Sequence, residues 1–305
     1  MYDIIGDIHG HAEALKALLA KMGYSRRNKG FAHPTRQAIF VGDFIDRGPQ
    51  IAEVLTIVRT MVDSGAAHAV MGNHEFNAIA FHTWNFGKNY FREHCKKNVG
   101  QHCATLDQVP DILDWVEWFK SLPVTFDLET IRVVHACWDE KDIEVLHRGL
   151  DRLGRFTPEF LREALPDDKS GELYLAVEHV LKGKERRLPE GLSYRDKDGH
   201  ERKTVRVRWF ESPVGKRWRD YAFGAEVDFP DDEVPLETLD APYPPDAPPV
   251  FFGHYWLKAE RPEILAPNVA CVDYSVAKEG LLVAYRWKGE AKLTTSHFEY
   301  TDAVP

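Results

Sequence analysis

Residues 2–23 read YDIIGDIHGHAEALKALLAKMG, and how they fold sets the class of the whole chain. YDII reads as a short buried strand, and GDIHGH as a polar turn. Beyond the turn, Leu15, Leu18, Leu19 and Met22 recur at i, i+3, i+4 and i+7, which is one face of a helix. Gly23 is suited to end it. The pattern then repeats twice. QAIFV (37–41) leads into GDFIDRGP, where Pro49 suits a turn or helix start. A helical stripe of Ile51, Val54, Leu55, Val58, Met61 and Val62 follows and closes near Gly65. HAVM (68–71) leads into GNHE and an apolar helix start through Phe76, Ile79 and Ala80. Strand, polar turn and helix, three times over, predict an α/β protein with largely parallel strands at this end.

Further along, the texture varies. A polar stretch over about 85–108 has helical character, a helix is expected over 111–121, and IRVVH (131–135) reads as a fourth strand. Thr157 and Pro158 suit the N-cap and first position of a helix, and 172–182 reads as another. TVRVRWF (204–210) alternates apolar and basic residues, as a half-exposed strand does. PYPPDAPP (242–249) is a rigid connector. Core strands resume at PVFFGH (249–254), and VACVDYS, GLLVAYRW and KLTTSHFEY read as antiparallel strands in a meander. The expected organisation is one domain over 1–305, with residues 140–247 inserted as a cap.

Composition bounds the partners. The 305 residues are 44% apolar and carry a net charge of −9, which argues against unspecific nucleic-acid binding; nucleic acid remains conceivable only as a substrate. The charge is uneven: residues 182–219 hold 13 Lys and Arg against 6 Asp and Glu, a surface suited either to solvation or to a phosphate-rich ligand. No run is long enough for a transmembrane helix and no signal-peptide pattern is visible, so a cytoplasmic protein is expected. Cys95, Cys103, Cys137 and Cys271 are too sparse for a disulfide framework. Cys95 and Cys103 each follow a His, a pattern that fits a small zinc site or, more simply, two ordinary thiols.

Each polar turn lies just after a strand, where α/β sheets bind ligands. The turns deliver Asp7 and His9; Asp43, Asp46 and Arg47; Asn73 and His74; His135; and His254. Carboxylates, imidazoles and an amide without thiolate suit Mn, Fe or Zn. They are too many for one ion, since a catalytic zinc takes three protein ligands. They are enough for two ions sharing a carboxylate, about 3.5–4 Å apart, the arrangement that binds both oxygens of a phosphoryl displacement.

GDIHG, GDFIDRG, GNHE, a lone His after a strand and a late GH together resemble the calcineurin-like metallophosphoesterase superfamily. Within it they are closest to the phosphoprotein-phosphatase group, which includes serine/threonine protein phosphatases and bacterial symmetrical diadenosine tetraphosphatases. The resemblance implies a four-layer αββα sandwich, with mixed sheets flanked by helices, and two divalent ions, manganese favoured. It implies Asp7 and His9 as ligands of the first metal, Asp43 as the bridging carboxylate, and Asn73, His135 and His254 around the second. It implies His74 as general acid, Asp46 as the carboxylate that orients it, and Arg47 as a phosphate-binding residue. A metal-held hydroxide would attack phosphorus in line, with no covalent phosphoenzyme.

Departures point to the bacterial side of the family. Met71 stands where protein phosphatases carry Arg before GNHE, and HACWDE follows the lone His. Tyr274-Ser275 replaces the usual Thr-Gly, which puts a role for Asp273 in doubt. The family's further phosphate-binding Arg falls in the enlarged interval between His135 and His254, where Arg206, Arg208 and Arg219 are candidates. The expected function is hydrolysis of phosphate esters or nucleotide phosphoanhydrides, like a diadenosine tetraphosphatase. The alternatives are a serine/threonine protein phosphatase and an inactive scaffold of the same fold. The corresponding partners are a phosphorylated small molecule, a nucleotide or a phosphoprotein.

Overall fold

In the computed structural model the three repeats become strands β1 (Tyr2–Ile5), β2 (Gln37–Phe40) and β3 (Ala67–Ala69), followed by helices α1 (Ala12–Lys21), α2 (Ile51–Asp63) and α3 (Asn73–His82). The structure describes residues 1–85, 89–91, 108–195, 201–224, 229–235 and 241–302. The three strands pair in parallel, Ile4 beside Ile39 and Phe40 beside Ala69. Helix α4 (Ile112–Ser121) then precedes a second sheet built from β4 (Thr125–Asp127), β5 (Arg132–Val134), β6 (Val250–Phe252) and β7 (Val269–Cys271), ordered β7-β6-β5-β4. The chain finally returns to the first sheet through β8 (Asp273–Tyr274), β9 (Leu281–Trp287) and β10 (Phe298–Asp302), giving the order β8-β9-β1-β2-β3 with β10 on the far side of β9.

The alternation of each strand sorts its side chains into layers. Ile4, Ile39 and Tyr285 from the first sheet meet Val133, Phe251 and Ala270 from the second in one buried cluster between the sheets. Ile5, Phe40, Val134 and Phe252 point the other way, into a cluster with Leu15, Leu18, Val54, Leu55, Val177 and Val180 of the helices. The result is helix, sheet, sheet, helix, the expected αββα sandwich. The N-cap side chains of α1 and α2 do not cap their own helices; Gln50 accepts instead from the Glu13 amide of α1 and Gln108 from the Ile51 amide of α2. Six side chains of α2 are buried, each contributing about 1.5–3 kcal/mol.

Between β5 and β6 come α5 (Glu140–Leu153), α6 (Pro158–Ala164) and α7 (Glu172–Lys182). Thr157 caps α6 by accepting from the Phe160 amide. These helices share the main core, through Leu146, Leu150, Phe160 and Val177. Residues beyond them make a small separate cluster of Leu188, Val205, Val207, Trp218, Tyr221 and Val234.

Four expectations are corrected. The run 204–210 is a strand only over Thr204–Arg206, paired with Glu185–Arg187, and continues as a single bridge from Val207 to Ala222. Trp84–Asn85 and Asn89–Tyr90 pair as short antiparallel strands where helical character was expected; Thr83 ends α3 in extended geometry. Residues 92–107, and with them the Cys95/Cys103 pairing, lie outside the described residues. Val269–Cys271 does not join a meander but pairs in parallel with β6, and the chain changes sheets at Val272, which is buried between them. KLTTSHFEY is a strand only from Phe298, after a 3-10 turn over Thr295–His297. Among the described residues no helix is long and apolar enough to cross a membrane.

Candidate metal centre and active site

The turns at the strand ends are tied to one another before any ligand is considered. The amides of Ile8 and His9 both donate to the Asp43 carbonyl, at 3.2 and 2.9 Å, joining the first turn to the second. Glu75 joins the second to the third: its carboxylate accepts from the amides of Asp43 (2.9 Å), Phe44 (2.8 Å) and Gly72 (3.0 Å). Through the Gly72 bond Glu75, at the third position of α3, reaches back to the N-cap amide. Burial, then the Asp43 charge, pushes its pKa up to about 7.

The polar turn expected at GNHE is already the start of a helix, since α3 begins at Asn73. Successive helical residues are rotated by about 100°, so Asn73, His74 and Glu75 fan out to three targets. Gly72 is required here: a Cβ would lie 2.2 Å from Asp43 Oδ1. His9, Asp43, Asp46, Arg47 and His254 all have positive φ. Non-glycine residues hold that conformation at a cost of about 1–3 kcal/mol each, and such strain gathers at functional sites.

Asp43 Oδ2 is the centre of the arrangement. His9 Nε2 and His135 Nε2 each stand 3.5 Å from it, and His74 Nε2 3.9 Å. Ligand atoms of His9, Asp43 and His74 lie within 4.8 Å of one another, as do those of Asp43, His135 and His254, so the carboxylate belongs to both groups. His9 Nδ1 donates to the Ile45 carbonyl (2.9 Å) and His135 Nδ1 to the Val41 carbonyl (2.7 Å). A carbonyl can only accept, so both Nδ1 atoms carry a proton and a neutral ring presents its Nε2 lone pair inward. Asn73 Oδ1 sits 3.0 Å from His135 Nε2 and 2.8 Å from His254 Nδ1.

Oxygens and ring nitrogens thus crowd together, and either extra protons or cations must lie among them. Burial drives His9 down to about 3 and His254 well below its ordinary value, so these two rings are neutral and available as ligands. Asp7 Oδ1, His9 Nε2 and His254 Nε2 are buried with no hydrogen-bond partner, a rare and costly condition that bound ions relieve. The donor set accordingly fits two divalent cations. Asp7 is further fixed by accepting from the His254 amide through Oδ2 (3.0 Å).

His74 Nδ1 meets Asp46 Oδ2 at 2.5 Å. Burial works against the imidazolium, but Asp43 and the Asp46 hydrogen bond outweigh it and raise the His74 pKa. Asp43 stays ionised despite burial, its pKa lowered by His135 and His74.

A cavity of about 340 Å³ opens onto this centre, lined by Asp43, Asn73, His74 and His254 together with Arg47, Arg206, Trp256 and Lys278. Asp7, His9 and His135 are not among its lining residues; they are buried, 0–2% exposed. The structure thus brings together His9, Asp43, His135 and His254 in the two ligand groups, with Asn73 beside His135 and His254, and His74 with Asp46, Arg47 and Arg206; Asp7 lies outside both groups and is tied to the His254 amide. It does not bring Arg208 or Arg219 to this cavity; both line a different one. The alternation that placed 206 and 208 on one face ends with the strand at Arg206.

Sequence reasoning missed Trp256 and Lys278. Trp256 underlies Arg47, whose guanidinium lies 4.3 Å from its ring, and Lys278 lies 4.5 Å from the same ring. Nothing in the sequence around them marks this role. Asp273, doubted because Thr-Gly is absent, accepts from the amides of Trp256 (2.7 Å) and Ser275 (3.0 Å). It shapes the turn that carries His254 and Trp256.

A sequence model of the calcineurin-like phosphoesterase family matches residues 2–254. The chain is 45% identical over 175 residues to the asymmetrical bis(5'-nucleosyl)-tetraphosphatase PrpE of Anoxybacillus flavithermus, covering 56% of this chain and 67% of that one. It is 31% identical over 174 residues to the symmetrical bis(5'-nucleosyl)-tetraphosphatase of Hamiltonella defensa, covering 51% and 57%. Against the PrpE of Halalkalibacterium halodurans it is 30% identical over 148 residues, covering 47% and 59%. The matches therefore span only 57% and 59% of the length of the last two relatives.

Proposed function

The chain belongs to the calcineurin-like phosphoesterase family, and from that membership and the geometry of its centre we propose that it is a two-metal hydrolase of nucleotide phosphoanhydrides, with dinucleoside polyphosphates as the leading substrate class. The observation that carries this reading is the sharing of Asp43 between two ligand groups, beside buried donor atoms that have no partner. Asp7, His9 and Asp43 would hold one ion, and Asp43, Asn73, His135 and His254 the other. Manganese is favoured over iron and zinc. When bound, the two ions would acidify a water between them and draw charge from the phosphoryl oxygens.

The chain's own groups do the rest. Arg47, Arg206 and Lys278 bring positive charge to the cavity that faces the centre, and Arg47 can bind two phosphoryl oxygens through its planar fork. Its stacking on Trp256 fixes that fork in place. His74, whose protonated form Asp43 and Asp46 favour against burial, donates its Nε2 proton to the leaving oxygen, and Asp46 holds the ring through Nδ1. Asp273 positions the Trp256 turn. Residues 140–247 would act as a cap within a single 1–305 domain, and a cytoplasmic location accords with a nucleotide substrate.

Diadenosine tetraphosphate plus water yields two ADP if cleavage is symmetrical, or ATP and AMP if it is not. The relatives include both kinds by name, so the product pair is to be measured. The deciding experiment records bound metal and steady-state rates on diadenosine tetraphosphate and on a phosphoserine peptide with one preparation. Near two ions per chain and preference for the dinucleotide are expected. Preference for the peptide by orders of magnitude would move the assignment to a protein phosphatase. Absence of stoichiometric metal would leave an inactive scaffold.

A further inference from the structure

The turn that carries Asp46 and Arg47 is strained and has to be held. Both residues have positive φ, 66° and 74°, a conformation that persists only where the surroundings fix it. Upstream, the turn is tied to the first one through the Asp43 carbonyl, which accepts from the Ile8 and His9 amides. Downstream, the Gly48 amide donates to the carbonyls of His9 (2.9 Å) and Asp46 (3.0 Å). The next peptide joins Gly48 to Pro49 and has no N–H, because proline lacks one. Its carbonyl is the single polar group by which that peptide can be anchored.

Gln108 supplies that anchor from 60 residues further along the chain. Its Nε2 donates to the Gly48 carbonyl at 3.1 Å, and its Oε1 accepts from the Ile51 amide at 2.9 Å. The Ile51 amide opens α2 and has no acceptor within its own helix. The neighbouring Val109 is buried in the main core, which fixes the backbone from which Gln108 reaches. A carboxamide both donates and accepts through one planar group, whereas a carboxylate only accepts and an ammonium only donates. Gln108 therefore links the end of the Arg47 turn to the start of α2. Trp256 steadies the Arg47 guanidinium, 4.3 Å from its ring, but not the backbone that bears it.

We propose that Gln108 is a positioning residue for phosphate binding. By holding the Gly48 carbonyl it keeps the Arg47 backbone in place, so that the guanidinium meets a phosphoryl group in the cavity at the Asp43 centre. The inference rests on the reading of Arg47 as a phosphate ligand, and adds to it the side chain that holds that ligand in register.

The test is calorimetric titration of the metal-loaded protein with inorganic phosphate, for the wild type, Gln108→Glu, Gln108→Met, Arg47→Ala and the double variant Arg47→Ala/Gln108→Glu. Gln108→Glu keeps the acceptor for Ile51 and removes the donor to Gly48; Gln108→Met removes both. Gln108 is only half-buried, and Gln108→Glu retains the bond that caps α2, so this variant folds even if Gln108→Met does not. Loss of one neutral hydrogen bond shifts an equilibrium by about threefold to tenfold. Phosphate affinity should fall by that factor in both single variants at position 108. Once Arg47 is alanine, Gln108→Glu should lower it no further, because coupled residues are not additive. A Gln108→Met protein that melts at lower temperature while both variants bind phosphate like the wild type overturns the proposal and leaves Gln108 a structural clamp. A loss that persists undiminished in the Arg47→Ala background overturns it too. A wild type in which this coupling holds, yet which hydrolyses neither diadenosine tetraphosphate nor a phosphopeptide, retains the positioning role and loses the phosphoesterase reading.

Discussion

His74 stands where two roles compete. Its Nε2 lies 3.9 Å from Asp43 Oδ2, inside one of the two ligand groups, while its Nδ1 is taken by Asp46. A general acid and a metal ligand need opposite protonation, and the carboxylates around His74 raise its pKa, which favours the acid. His74→Ala should therefore keep both metals by elemental analysis and lose about 10²–10⁴ in kcat, most severely on substrates with poor leaving groups. Loss of a metal would refute the acid role. The pH sign follows from the same charges. A raised pKa means the acid form is present below that pKa and lost as pH rises through it, so kcat/KM should decline on the alkaline side. Asp46→Asn removes a group that raises the pKa, and the decline should move to lower pH. The ligand types themselves were legible because each sits in a strand-end turn. Trp256 and Lys278 were not, because their role depends on where Arg47 points.

At the scale of elements, the turns work as a set of interlocked pieces, and glycine decides how close they come. Gly253 precedes His254, and a Cβ there would lie 1.9 Å from Asp7 Oδ1 and 2.8 Å from the Val41 side chain. Neither neighbour can yield, since Asp7 is held by the His254 amide and Val41 is packed between the sheets. Gly253→Ala should displace the Asp7 carboxylate, so that less than one ion per chain survives dialysis while the far-ultraviolet circular dichroism of the strands persists. An alanine variant with two retained ions would show that the turn has slack this geometry denies it. The three strand–turn–helix repeats were legible from periodicity alone, because β1, β2 and β3 are buried in parallel pairing and their helices carry wide apolar faces. The sheet change at Val272 was not. VACVDYS reads as one apolar strand, and only the gap between the two sheets dictates that its first half pairs with β6 and its second with β9.

For the molecule as a whole, the centre is a source of instability that ligands convert into stability. Asp7 is buried and its pKa is well raised, first by burial, then by Asp273 and Asp43, so its ionised form is penalised in the metal-free fold. The sign is the reverse of an ordinary paired carboxylate. Stability is greatest where Asp7 is protonated and falls as pH rises past its ordinary unfolded value toward the raised one. Bound cations reverse that penalty. An ion at 100 times its dissociation constant stabilises the fold by about 2.7 kcal/mol. Asp7→Asn keeps the oxygen that accepts from the His254 amide and removes the charge. It should raise the melting temperature of the chelator-treated protein at neutral pH, yet melt below the wild type once manganese is added. The crossing of the two orders, read from thermal melts with and without Mn²⁺, separates a carboxylate kept for metal from one kept for structure. If Asp7→Asn melts below the wild type in both conditions, Asp7 is a structural acceptor and the first metal needs another ligand.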